Sequence, residues 1–235
     1  MAFRIEKAIS AVLMFGLAAM AQPATFQVRH EHFRKGHTGT LVVAENLISF
    51  GEYEKKLGHS RQWKYEDIQQ LTLSPTELRI LTYEDQKWKF DRDREYAFDQ
   101  LPADFAVKVY PLLRDRLEKR FVAEIADPDV RVLWKAGAKL HQGLAGAEGA
   151  IVIGDDRIVF DAGKGRSHTW RYGDIDNISS SGPFDFSIMT LERSAWHRGS
   201  PTEYHFQLKE EMGENRYNDV WRRLNRNKGL QILSP

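Results

Sequence analysis

The chain has 235 residues, 42% hydrophobic and 11% aromatic, with a formal net charge of +1 and no cysteine. That apolar content is enough for one large core or two small ones. The absence of cysteine excludes disulfides, thiol catalysis, thiolate metal sites and iron–sulfur clusters, and the near-neutral charge argues against bulk attraction to nucleic acid or an anionic membrane.

In chain order, residues 1–21 come first. MAFRIEK is basic, ISAVLMFGLAAM is a short apolar run, and Ala19-Met20-Ala21 precedes Gln22. This is the three-part pattern of a secretory signal peptide, too short to span a membrane. Cleavage near Ala21/Gln22 would leave 32 basic and 32 acidic residues and an exported chain, periplasmic or secreted. No later apolar run is long enough to span, so no transmembrane segment is expected.

A first unit is expected over residues 22–125. TFQVRHEHF alternates, and TLVVA and LISFGEY flank a Glu45-Asn46 turn as a hairpin. SRQWKY, DIQQLTL (ended by Ser74-Pro75), ELRILTY and REYAFDQL follow, for about seven strands. A helix is expected from Pro111, with Leu112, Leu113, Leu117 and Phe121 at helical spacing. ADPD at 126–129 has the composition of an exposed junction and defines a linker at 126–130. A second unit at 131–235 repeats the order: VRVLWKAGAKL, the hairpin AIVIGDDRIVF, SHTWRY, DIDNISS, FDFSIMTL and TEYHFQL. It closes with a helix near Asn215–Arg226 carrying Tyr217, Val220, Trp221 and Leu224 on one face.

The two units are copies of each other. HSRQWKYEDIQQL at 59–71 returns as RSHTWRYGDIDNI at 166–178, an offset of 107 that aligns Ser60, Trp63, Tyr65, Asp67 and Ile68 with Ser167, Trp170, Tyr172, Asp174 and Ile175. GTLVVAENLISF matches GAIVIGDDRIVF at an offset of 110. Downstream, at an offset of 108, Thr82, Glu84, Trp88, Tyr96 and Phe98 recur as Thr190, Glu192, Trp196, Tyr204 and Phe206.

Seven antiparallel strands followed by one amphipathic helix resemble the pleckstrin-homology-like (PH-like) superfold. The G-x-L-x-V…N-L-I-S-F hairpin and the W-x-Y-x-D-I stretch are similar to bacterial PH-like and GRAM-like modules. The resemblance covers about 26–120 and 131–227 and implies a mainly β chain of two tandem PH-like barrels, each about seven antiparallel strands capped by one α-helix. Two lipocalin-like barrels are the alternative, but they need more and longer strands. The resemblance implies recognition rather than catalysis. Phosphoinositide-binding PH domains carry cations in the first loop and the next strand. Here Thr40–Ala44 has none, so phosphoinositide binding is not expected.

Trp63/Trp170 and Tyr65/Tyr172 are expected in the scaffold, and Asp67/Asp174 at a turn, capping local amides. The better binding candidates are loops. Lys87, Trp88, Lys89, Arg92 and Arg94 in one copy, and Trp196, His197 and Arg198 in the other, place a tryptophan among cations between the last two strands. That composition suits docking to a partner or ligand. His30, His32 and His37 are weak metal candidates, because two same-face imidazoles and a third nearby have ligand chemistry. There is no G-x-S-x-G, H-E-x-x-H or Rossmann fingerprint, and GKGRS at 163–167 lacks P-loop spacing.

The expected function is therefore a non-catalytic binding or scaffold protein of the cell envelope, engaging a protein, peptide or envelope component. No cofactor or nucleic acid is expected. A metal-dependent hydrolase using the three histidines, or a purely structural envelope spacer, is the alternative.

Overall fold

The computed structural model describes residues 23–31, 36–53, 60–85, 93–118, 120–141, 146–163, 166–193 and 201–228. The chain is mainly β, with two long helices. In order the strands are β1 (Ala24–His30), β2 (His37–Val43), β3 (Leu47–Glu52), β4 (Arg61–Lys64), β5 (Ile68–Leu73), β6 (Leu78–Asp85) and β7 (Asp93–Asp99). Helix α1 (Phe105–Arg116) and β8 (Arg120–Ala123) follow. Then come β9 (Val132–His141), β10 (Ala147–Gly154), β11 (Arg157–Asp161), β12 (His168–Arg171), β13 (Ile175–Gly182), β14 (Asp185–Thr190), β15 (Thr202–Leu208) and α2 (Glu214–Asn225).

Among the described residues all fifteen strands form one sheet, in the order β13-β14-β15-β9-β10-β11-β12-β8-β5-β6-β7-β1-β2-β3-β4. The strands of the second repeat take the same relative order as those of the first. Alternation sets the faces. In β2, Leu41 and Val43 are buried while Thr38 is exposed; in β15, Tyr204, Phe206 and Leu208 are buried. Each repeat encloses its own aromatic core, with Trp63 edge-on to Tyr96 (4.8 Å) in one and Trp170 edge-on to Tyr204 (4.8 Å) in the other. The glycine before each central hairpin is obligatory. A Cβ on Gly39 would lie 2.4 Å from the Gly51 carbonyl, and one on Gly149 2.3 Å from the Asp161 carbonyl.

The first helix begins earlier than apolar spacing implies. It spans Phe105–Arg116, with Pro111 in its interior rather than at its start, and Phe121 belongs to β8. Phe105, Val109 and Leu113 face the core, and the ring of Phe105 lies 4.6 Å from Phe26. Pro111 leaves the carbonyl of Val107 without its helical partner, and Val107 stands on the solvent side, 66% exposed. The second helix, Glu214–Asn225, lies within one residue of its expected bounds.

The junction departs from its composition. β8 pairs in parallel with β5 (Gln70–Arg120 to Leu73–Ala123) and antiparallel with β12 (Thr169–Ala123), so one short strand stitches the repeats together. Asp127, within the segment read as exposed, is buried. Its Oδ2 lies 3.1 Å from Arg157 Nε, an ion pair whose angle falls short of a hydrogen bond, and 3.6 Å from Arg114 Nη1. Its amide donates to Thr169 Oγ1 (3.0 Å), and that hydroxyl donates to the Ile125 carbonyl (2.7 Å). Asp174 caps no amide of its own turn. It accepts the Phe121 N–H of β8 (3.1 Å) and the Arg171 guanidinium (2.6 and 3.0 Å). A residue type suited to turns serves here in a contact between repeats.

Removing Asp127 would leave the buried Arg157 with the exposed Asp156 carboxylate (3.4 Å) as its remaining ion pair. Asp127→Ala is expected to destabilise the protein by about 3 kcal/mol. Equilibrium urea unfolding checks this, with loss of a single transition as a second sign that the repeats are coupled through this pair.

Candidate functional site

The repeated aromatic core supports a polar rim on each copy. In the first repeat the Tyr96 hydroxyl donates to Glu84 Oε2 (2.9 Å). Arg61, on β4, lies 3.8 Å from that carboxylate, and Arg94, on β7, lies 3.6 Å from it. Both guanidiniums lie over the Tyr96 ring, at 5.6 and 5.1 Å, a cation–π arrangement. Burial, then the bond to Glu84, raises the Tyr96 hydroxyl above its ordinary value. Glu84 and Arg94 flank residues 86–92, and Arg61 follows 54–59, so two loop stems meet at this half-exposed rim.

The second repeat keeps the tyrosine–carboxylate pair but has His168 and Thr202 at the positions of Arg61 and Arg94. Tyr204 donates to Glu192 (2.9 and 3.0 Å), and Thr190 Oγ1 donates to the same carboxylate (2.9 Å). Burial raises Glu192 above the usual carboxylate range, opposed by these hydrogen bonds. His168 takes the place of Arg61, stacked on Trp170 (5.2 Å, 15°) and packed on Tyr204 (5.0 Å). Burial among these rings lowers the imidazole to about 4.

Arg193 joins the two rims. Its Nη1 donates to Asp93 Oδ2 (2.6 Å) and Gln69 Oε1 (2.6 Å). Its backbone N–H donates to Gln70 Oε1 (2.7 Å), and Gln70 Nε2 donates back to its carbonyl (2.9 Å). Asp93 closes the loop that holds Trp88, and Arg193 opens the loop that holds Trp196. The roots of the two tryptophan loops are thus held together, although they are 100 residues apart in sequence.

Of the binding residues expected from sequence, Arg94 lies in this rim. Lys87, Trp88, Lys89, Arg92, Trp196, His197 and Arg198 fall outside the described residues, as does His32. His30 is buried and packs on Phe98 (5.0 Å), Phe50 and Tyr96, while His37 Nδ1 lies 2.7 Å from Glu52 Oε1. Among the described residues no three side chains of metal-ligating type are gathered to hold an ion. Arg61, Glu84, His168 and Arg193 were missed by sequence reasoning. Recurrence of Glu84 as Glu192 was the available signal; Arg193 has no counterpart that marks it.

Two other surfaces carry chemistry. On the outer face of β14 and β15, Ser187 Oγ is 3.0 Å from His205 Nδ1, and His205 Nε2 is 3.9 Å from Asp185 Oδ1. The second distance is too long for the hydrogen bond that orients a catalytic imidazole, and Ser187 is nearly enclosed. Beside α2, a cleft of about 320 Å³ is lined by Leu133, Trp134, Asp219 and Val220, with the Arg216 guanidinium 5.0 Å over Trp134.

No family model matches the chain, and no curated protein matches it. Among solved structures, the Spt16D–Pob3N heterodimer structure aligns over 82% of this chain and 99% of that chain, at 12% identity and a TM-score of 0.35. The C-terminal domain of an unknown protein from Leishmania infantum aligns over 40% of this chain and 84% of its own, at 15% identity and a TM-score of 0.30.

The unfolded His168 imidazole binds a proton near 6.5 and the folded one near 4, so between those values the unfolded state holds more protons. Stability from neutral His168 is complete above about pH 6.5 and is lost as pH falls toward 4. Urea unfolding at pH 7 and pH 5 should show a loss of about 2 kcal/mol in wild type that is absent from His168→Phe.

Proposed function

We propose that the chain is a non-catalytic binding or scaffold protein of the cell envelope, built from two tandem PH-like barrels and engaging a protein, peptide or envelope ligand at its two joined loop ends. The strand order, taken twice over, supports the PH-like reading, and the amino-terminal sequence pattern supports export. The observation that carries the binding site is the Arg193 contact with Asp93, Gln69 and Gln70. It holds together the flanking residues of two segments that the sequence places in separate repeats. Each loop contains a tryptophan among cations, the composition of a recognition tip. The half-exposed Arg61, Arg94 and Glu84 rim extends that surface with fixed charges.

A rigid envelope spacer is the second reading. It is favoured by the continuous sheet through β8 and by the buried Asp127–Arg157 pair, which couple the repeats. Metal analysis of the purified protein tests the hydrolase alternative built on His30, His32 and His37.

Crosslinking in the native envelope separates binding from spacing. The double variant Trp88→Ala/Trp196→Ala should fold with wild-type circular dichroism and lose the crosslinked species. Arg193→Ala should weaken them by about tenfold, since loop positions become independent. A folded double variant that gives the wild-type crosslinks would overturn the loop site and leave the spacer reading.

A further inference from the structure

The outer face of the second repeat carries two imidazoles where the first carries a cluster of ion pairs. In the first repeat Arg79 of β6 pairs with Glu77 (2.8 Å) and with Glu95 of β7 (3.6 Å). On the neighbouring β1, Arg29 donates to Asp99 (2.8 Å) and lies 3.7 Å from Glu31. At the offset of 108, Asp185 stands for Glu77 and Glu203 for Glu95, so both acids recur. Ser187 stands for Arg79 and His205 for Ala97. His141 stands for Glu31, because Leu140 faces Phe206 as His30 faces Phe98. A serine carries no charge, so the two acids recur without the arginine that lies between them in the first copy.

Strand register sets these residues in one row. Ser187 of β14 faces His205 of β15, which faces His141 of β9, so the three side chains share one side of the sheet. The two imidazole ring centres are 5.7 Å apart. Rings that share one tetrahedral ion stand roughly 5 Å apart, given metal–nitrogen bonds of about 2.1 Å. Ser187 Oγ lies 3.0 Å from His205 Nδ1. With the ring proton on Nδ1, that nitrogen donates to Ser187 and Nε2 keeps its lone pair, the way a second partner orients a metal-bound histidine. Asp185 Oδ1 is 3.9 Å from Nε2, beyond a hydrogen bond but within reach of water on a bound cation. His141 is exposed, and His205 and Asp185 are half-exposed, so a hydrated ion reaches the row from solvent.

We propose that His141 and His205 form a binding site for one divalent transition-metal ion of the kind that imidazole favours, zinc foremost. The two imidazoles supply its protein ligands, Asp185 and Glu203 its counter-charge, and water its remaining positions. His205 against His141 is the end pair of the β15–β9 ladder, so an ion held there staples the two strands together. This assignment is independent of the loop-end surface and uses neither His30 nor His37.

Titration of zinc chloride into the untagged, metal-stripped full chain, followed by calorimetry and by thermal melting, tests it. One equivalent should bind, and the melting midpoint should rise by roughly 5 °C at a hundredfold excess over Kd. His141→Ala and His205→Ala should each weaken binding by about tenfold or more and remove the thermal shift, with wild-type circular dichroism as the control of folding. His141→Gln, on the exposed partner, gives the same reading where an alanine variant does not fold. Absence of both a binding heat and a thermal shift in wild type would overturn the proposal. Wild-type affinity in the folded double variant His141→Ala/His205→Ala would also overturn it, because the ion would then sit elsewhere. Half an equivalent with a zinc-dependent dimer in sedimentation would do the same, since the ion would then bridge two copies.

Discussion

The structure depends on a carboxylate held where little water reaches. Asp127 sits between Arg157 of the second repeat and Arg114 of the first, and its own amide and the Ile125 carbonyl are held by Thr169. A buried ion pair is a weak source of net stability, but breaking one is costly, because the remaining charge cannot return to water without opening the site. The pair therefore acts as a constraint on position more than as an adhesive. It holds the end of β8 in the register that lets four residues bridge two edges. Arg171 completes the joint by donating to the carbonyls of Arg114 (3.1 Å) and Leu117 (2.5 Å) at the end of α1. Those carbonyls lack helical partners, and a cation there also suits the helix dipole.

With the joint fixed, two edges that would otherwise be exposed are consumed. β5 and β12 are the ends of their respective seven-strand sets, and β8 closes both. Short strands and edge charges protect what remains: β4 has only four residues and carries Arg61 and Lys64. The same joint delivers Arg193 to β5 and β7. The contact of Arg193 with Asp93 and Gln69 across the repeats thus follows from the way the edges were closed.

The repeats share their interior and differ at the rim. Trp63, Tyr96 and Phe98 pack as Trp170, Tyr204 and Phe206 do, with nearly the same ring separations. Close packing tolerates little change in such a cluster. Above it, the tyrosine–carboxylate pair is retained, but the half-exposed Arg61 becomes the buried His168. His30 enters the first core from β1, and His168 enters the second from β12, each against the equivalent tyrosine. One aromatic frame thus accepts an imidazole from either side, and His168 and Thr202 stand in the second repeat where the first has Arg61 and Arg94.

Much of this was legible in the sequence. Alternation marked the strands, because the face of a side chain depends only on its parity along the chain. The second helix was marked by Tyr217, Val220, Trp221 and Leu224, and the duplication by residues that pack within one repeat. The first helix was misplaced because Pro111 normally opens a helix, and its interior position is tolerated only where the freed carbonyl of Val107 faces solvent. What the sequence alone determined is the set of local elements and which residues fill each core. What the tertiary structure alone decided is the joint: that β8 is a strand, that Asp127 is buried, that Asp174 serves the other repeat, and that Arg193 of the second repeat is held by Gln69, Gln70 and Asp93 of the first. The physical reason is range. Periodicity reports a residue's environment within its own element, whereas these contacts engage single polar side chains across 13 to 124 positions, where no local pattern records the partner.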